Sequence, residues 1–188
     1  MKNKPYPMNT VPQVNNLKEL MLYCKETYKN KTAFQFEHNH EIVKINFKEL
    51  LDDMNGLGTS LYKLGLHDAK IALIGENSYY WILSYFAVVN GGNVIVPLDP
   101  ETTEYDFMEL LISAEISCVI CSKKYLCKIQ KIRNKLDFQQ LFVLEKDILN
   151  LILQGKEFIE KGERTFIDYK IQNDKCRDRK STRLNSSH

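Results

Sequence analysis

Hydrophobic and polar positions fall into blocks along this chain of 188 residues, and the period of the blocks changes in a regular order. Leu17, Leu20, Met21, Cys24 and Tyr28 recur at helical spacing and predict a first helix. Thr32 to Phe36 and Ile42 to Ile45 read as two strands joined by a polar connection, the pattern of a β-hairpin. Leu50, Met54, Leu57, Leu61 and Leu64 predict a longer helix that Gly65 closes.

The run from Lys70 to Asp99, KIALIGENSYYWILSYFAVVNGGNVIVPLD, is the most informative segment. Its ends are continuous apolar stretches (Ile71 to Ile74, Val94 to Val96), as expected of strands in a parallel sheet covered on both faces. Between them a helix opens at Asn77 or Ser78 and stops at Gly91-Gly92, which makes one β-α-β unit. The helix has almost no polar face, so it is expected to lie inside a larger body. It falls short of the roughly 20 apolar residues a membrane span needs.

Beyond this unit the alternation continues. Thr102 or Thr103 can cap a helix with a stripe of Phe107, Leu110, Leu111 and Ala114. A strand at 117–121 follows, then a helix through Tyr125, Ile129, Ile132 and Leu136, a strand from Gln140 to Leu144, and a last helix through Ile148, Leu149, Ile152, Leu153 and Ile159. The fold class that results is α/β: a doubly wound, mostly parallel sheet with an N-terminal β-hairpin, whose functional edge is at the carboxyl ends of the strands.

Charge narrows the function classes little: 26 basic against 24 acidic residues and 44% hydrophobic content describe a globular chain without a nucleic-acid patch. Met1 to Gln13 has no apolar core, so no signal peptide and no membrane span are expected, and the default location is the cytoplasm. Five cysteines, an odd number, argue against a disulfide framework. Cys118 and Cys121 form a C-x-x-C, yet within a strand residues three apart point to opposite faces and could not share a metal; Cys127 falls on the next helix. His38 and His40 sit at the hairpin tip, where a solvated turn is the simpler reading than a metal site.

The turn at Gly75-Glu76-Asn77-Ser78 lies on the strand-end edge, and a helix N-terminus there could hold a phosphate or carboxylate. Asn77 and Ser78 are therefore the candidate cofactor-binding residues. The simpler reading makes one of them a helix cap, since neither G-x-G-x-x-G nor G-K-[ST] occurs. Gly91-Gly92 reads as a helix stop and close-packing point. No catalytic residue and no metal-ligand set can be assembled.

The order of residues adds what periodicity does not. Gly75, Glu76, Asn77, Ser78, Trp81, Gly91, Gly92, Val96, Pro97, Leu98 and Asp99 match a pattern typical of the adenylate-forming (AMP-binding) enzymes, and Ile45-Asn46-Phe47-Lys48-Glu49-Leu50 resembles that family's strand-to-helix "T-Y-x-E-L" element. The chain thus resembles the N-terminal part of an acyl-CoA synthetase over roughly Asn15 to Asp174, with its closest likeness to bacterial long-chain fatty-acid CoA ligases. The resemblance implies ATP-dependent adenylation of a carboxylate such as a fatty acid, then thioester formation with CoA, with ATP, Mg and CoA serving the whole enzyme. It also implies that the Ser/Thr/Gly-rich phosphate loop and a C-terminal lysine domain come later than the matched region.

Domain expectations follow: an N-terminal tail over 1–14, a truncated AMP-binding subdomain over 15–176, and an adapter-like, non-native tail over 177–188, whose Arg177, Arg179, Lys180 and Arg183 do not make a nucleic-acid site. On this reading the fragment alone is inactive, binds no cofactor and self-associates through exposed apolar surface. The alternative is a stand-alone α/β module that binds a small ligand or partner without catalysis.

Overall fold

A computed structural model describes residues 12–38, 40–136 and 138–171. Asn39, Asp137 and the expected tail at 177–188 lie outside the described residues, as do most of the 1–14 tail and Cys176. Helix α1 (Leu17–Tyr28) leads into the hairpin β1 (Thr32–His38) and β2 (Glu41–Asn46), followed by α2 (Phe47–Lys63). The parallel unit comprises β3 (Lys70–Ile74), α3 (Tyr79–Asn90), β4 (Val94–Pro97), α4 (Glu104–Ser113), β5 (Cys118–Cys121), α5 (Leu126–Ile132) and β6 (Gln140–Val143). Two more helices, α6 (Ile148–Glu160) and the single-turn α7 (Thr165–Asp168), close the described chain.

The four parallel strands pair in the order β4-β3-β5-β6, so the chain reverses direction across the sheet between β3 and β5. Both faces are covered, as the continuous apolar strands require. Ile71, Leu73, Cys118 and Ile120 face a core shared with α2, α3 and α6, while Ala72, Ile74, Val119 and Cys121 face a second core with Phe107, Leu111, Ile129 and Ile132 of α4 and α5. Cys118 and Cys121 thus lie on opposite faces, both fully buried, and burial pushes both thiols up.

Local chemistry sets the element ends. Asn46 and Glu49 form a capping box, each side chain bonded to the other's backbone N–H, so the segment resembling the "T-Y-x-E-L" element is a helix start. Gly65 (φ 82°) ends α2, and His40 (φ 64°) turns the hairpin, almost wholly exposed. The helical stripes are narrower than the sequence suggests. Leu110, Leu149 and Leu153 are about half exposed because a helix packed on one side against its neighbours buries only one sector of its surface. The outer side of α3 (Trp81, Ile82, Tyr85, Phe86) is likewise only partly covered among the described residues. Just before β4 the Asn93 side chain accepts the Ala69 N–H and donates to the Leu66 carbonyl, tying the start of β4 to that of β3.

Helix α2 is the organising element, with ten buried residues. It crosses α6 at glycines: a Cβ on Gly56 would stand 2.6 Å from the Ile152 carbonyl oxygen, and one on Gly155 would overlap the Gly56 carbonyl. Ser60 Oγ donates to the Leu151 carbonyl at 2.6 Å inside this crossing. At its margin Asp53 accepts from Tyr79 Oη (2.6 Å) and Lys156 Nζ (2.5 Å), tying α2 to α3 and α6. Burial and the Asp53 carboxylate both push the Tyr79 phenol up.

Candidate functional site

In an open α/β sheet a ligand crevice is expected at the carboxyl ends of the strands where their order reverses. Here that point lies between β3 and β5, flanked by Gly75 to Ser78 on one side and Ser122 to Lys124 on the other. Both candidate residues reach it. Ser78 is the N-cap of α3, and its hydroxyl accepts the Trp81 N–H at 3.2 Å. Asn77 is exposed beside it.

Glu76, which the sequence reading did not single out, occupies the crevice. Its carboxylate accepts from Ser122 Oγ at 2.9 Å and pairs with Lys124 Nζ at 2.8 Å. These two bonds hold the Glu76 carboxyl down at about 2. A second carboxylate, Glu145 after β6, accepts the Lys123 N–H at 2.8 Å. Ser122 Oγ, Lys124 Nζ and the Lys123 N–H are thus bonded to the protein's own carboxylates, and an anion approaching these three donors would meet that charge. At these three donors the crevice does not suit a nucleotide triphosphate. The signal for this lay in the sequence, an acid just before the cap and Ser-Lys-Lys just after a strand, but only the strand order brings the two together.

Other possible sites are disposed of by geometry. A cleft of about 610 Å³ opens at the opposite, amino-terminal end of the strands, lined by residues such as Leu66, Ala69, Ile116 and Phe138. It lies at the end of the sheet away from the switch-point crevice. No group of three or more metal-capable side chains occurs among the described residues, and among them no helix is long and apolar enough to cross a membrane.

Gly91-Gly92, at the far end of α3, is a packing point. Tyr62 Oη donates to the Gly91 carbonyl at 2.5 Å, and a Cβ on Gly91 would stand 3.0 Å from the Phe166 ring. A Cβ on Gly92 (φ 75°) would overlap the Tyr169 phenol. The two glycines therefore receive α7 and the residue after it.

The same fold recurs among known proteins. The fold is similar to that of a long-chain-fatty-acid-CoA ligase (FadD1) from Archaeoglobus fulgidus, with a TM-score of 0.68 and 15% identity over 80% of this chain and 32% of that one. It is also similar to the anthranilate CoA ligase AuaEII, solved in complex with anthranoyl-AMP, with a TM-score of 0.67 and 20% identity over 76% of this chain and 28% of that one. In sequence the chain is 26% identical over 127 residues to the mitochondrial medium-chain acyl-CoA ligase ACSF2 of Bos taurus, covering 67% of this chain and 19% of that protein. The chain therefore spans about a fifth of the length of that relative. Residues 23–175 match the AMP-binding enzyme family, and the chain belongs to that family.

Proposed function

We propose that this chain is the N-terminal scaffold of an ATP-dependent acyl-CoA synthetase that activates a fatty-acid-type carboxylate and passes it to CoA. The family match over residues 23–175 carries this reading, and the acyl-CoA ligases among its relatives support the substrate class. Long-chain acids are the proposed subclass, on the likeness of the Gly75–Trp81 and Val88–Gly92 runs to that branch, against the medium-chain title of the ACSF2 relative.

Within the whole enzyme this part positions rather than reacts. ATP, Mg and CoA are assigned to elements outside the described residues, because the strand-end donors here are bonded to Glu76 and Glu145. Ser78 and Asn77 are accordingly proposed to start α3 and not to hold nucleotide. The half-exposed Leu149 and Leu153 support self-association of the chain by itself. The proposed location is the cytoplasm.

The test is fatty-acid-dependent exchange of labelled pyrophosphate into ATP, run on the 188-residue chain and on the polypeptide encoded by the intact genomic reading frame. Exchange is expected only from the longer polypeptide. Exchange by the short chain, or none from the longer one with any fatty acid, would overturn the proposal. Stoichiometric small-ligand binding by the short chain would instead favour a stand-alone binding module.

A further inference from the structure

Lys18 joins the first helix to the last described turn. Its Nζ donates to the Phe166 carbonyl at 2.8 Å and to the Tyr169 carbonyl at 2.8 Å, and lies 5.2 Å and 5.8 Å from the centroids of those two rings. Helix α7 has four residues, so it cannot hold its own shape and its terminal carbonyls need outside partners. Three things keep it in place. Phe166 is fully buried against Tyr62, Gly58 of α2 and Gly91 after α3, Tyr169 just beyond the helix sits against Tyr62 and Gly92, and Lys18 bonds the carbonyls.

We propose that Lys18 is an acylation site that acts as a latch, so that Nε-acylation by an activated acyl group releases the Thr165–Tyr169 segment from α1 and α3. An ammonium has three N–H groups and a neutral amine two, so either form can serve both carbonyls. An amide nitrogen has one. Acylation therefore strips one carbonyl of its donor and removes the charge that the two rings attract.

The side chain is also suited to the reaction. It is partly exposed, and loss of solvent lowers its ammonium to about 8 despite the opposing pull of Asp168, so near neutral pH a fraction carries a free lone pair. That lone pair attacks the acyl carbon of an acyl phosphate, acyl-adenylate or thioester. A C–N bond forms, the C–O or C–S bond breaks with its electron pair leaving on phosphate or thiolate, and the amine proton passes to the leaving group or to water. Acyl-adenylates and thioesters as the natural donors rest on the function proposed above. The latch itself does not.

The experiment treats the folded chain with acetyl phosphate and quantifies acetylation at each lysine by peptide mass spectrometry, with amide hydrogen exchange on the same samples. Lys18 is expected to acetylate at least about threefold faster than the exposed Lys48 and Lys161. Exchange in 165–169 is expected to rise about tenfold in the acetylated protein and in Lys18→Gln, and to stay near wild type in Lys18→Arg. Should Lys18→Gln fail to fold, the acetylated wild-type protein carries the comparison. Lys18 reacting no faster than Lys48 and Lys161, or unchanged exchange in 165–169 after acetylation, overturns the proposal. Because acetyl phosphate is supplied, either result stands whether or not the protein makes acyl-adenylates.

Discussion

Glycine meets its surroundings differently at two places in this molecule. At the strand-end turn a Cβ on Gly75 would face side chains: Leu144 Cδ1 at 3.0 Å, Ser122 Cβ at 3.2 Å and Trp81 Cδ1 at 3.4 Å. At the crossing of α2 and α6 a Cβ on Gly155 would run into the Gly56 backbone. Side chains can shift by a few tenths of an ångström, whereas two packed helices cannot separate locally without losing the contacts beside them. The turn that resembles a ligand site is thus the tolerant one. The crossing of α2 and α6 is the strict one.

The largest effect should come from the helical layer. Gly155→Ala is expected to cost about 4 kcal/mol, at or beyond the upper end of ordinary overpacking, read as a large drop in the urea midpoint or as failure to fold. An unchanged midpoint would mean that α2 and α6 can move apart and would erase the contrast. Next comes Phe166→Ala. Emptying a fully buried site between α2, α3 and α7 is expected to cost about 3 kcal/mol or somewhat more, with hydrogen exchange rising first in α7.

Gly75→Ala sharpens the other side of the comparison. It is expected to cost about 1 kcal/mol, since Leu144 and Trp81 can give way while Ser122 Cβ moves only with its backbone, and the urea midpoint checks it. The smallest effect belongs to Glu76. Its folded-state carboxyl sits at about 2 against an ordinary 4.5, so the stability it adds is present above about 4.5 and is lost as pH falls through about 2. Because the side chain is 49% exposed, solvent screening keeps this contribution under about 1 kcal/mol. Midpoints at pH 2, 3 and 5 should fall more steeply for wild type than for Glu76→Gln, and high salt should narrow the gap.

How much of this was legible in the sequence depends on the range of the interaction. The opposite placement of Cys118 and Cys121 follows from the two-residue period of a strand, and the boundaries of α3 follow from Ser78 and Gly91, all local facts. The capping box of Asn46 and Glu49 is also written in three consecutive bonds of chain, within the segment that carries the family resemblance. Strand order is not local. The sequence could show the Ser78 cap but not that Glu76 beside it meets Ser122, 46 residues away. Helix α7 has too few residues to show a period, and the seat for Phe166 and Tyr169 on Gly91-Gly92 becomes visible only once the chain returns to it. Leu149 and Leu153 fitted a helical stripe on paper because spacing alone does not say how wide a sector the packing partner will cover.

The central proposal is that this chain supplies framework and that its strand-end crevice, where Glu76 engages Ser122 and Lys124, holds no nucleotide. Titration calorimetry of ATP, and separately of AMP, into the 188-residue chain tests it most directly. The account predicts no saturable, stoichiometric heat for either nucleotide. One-to-one binding that Asn77→Ala or Ser78→Ala abolishes would contradict it.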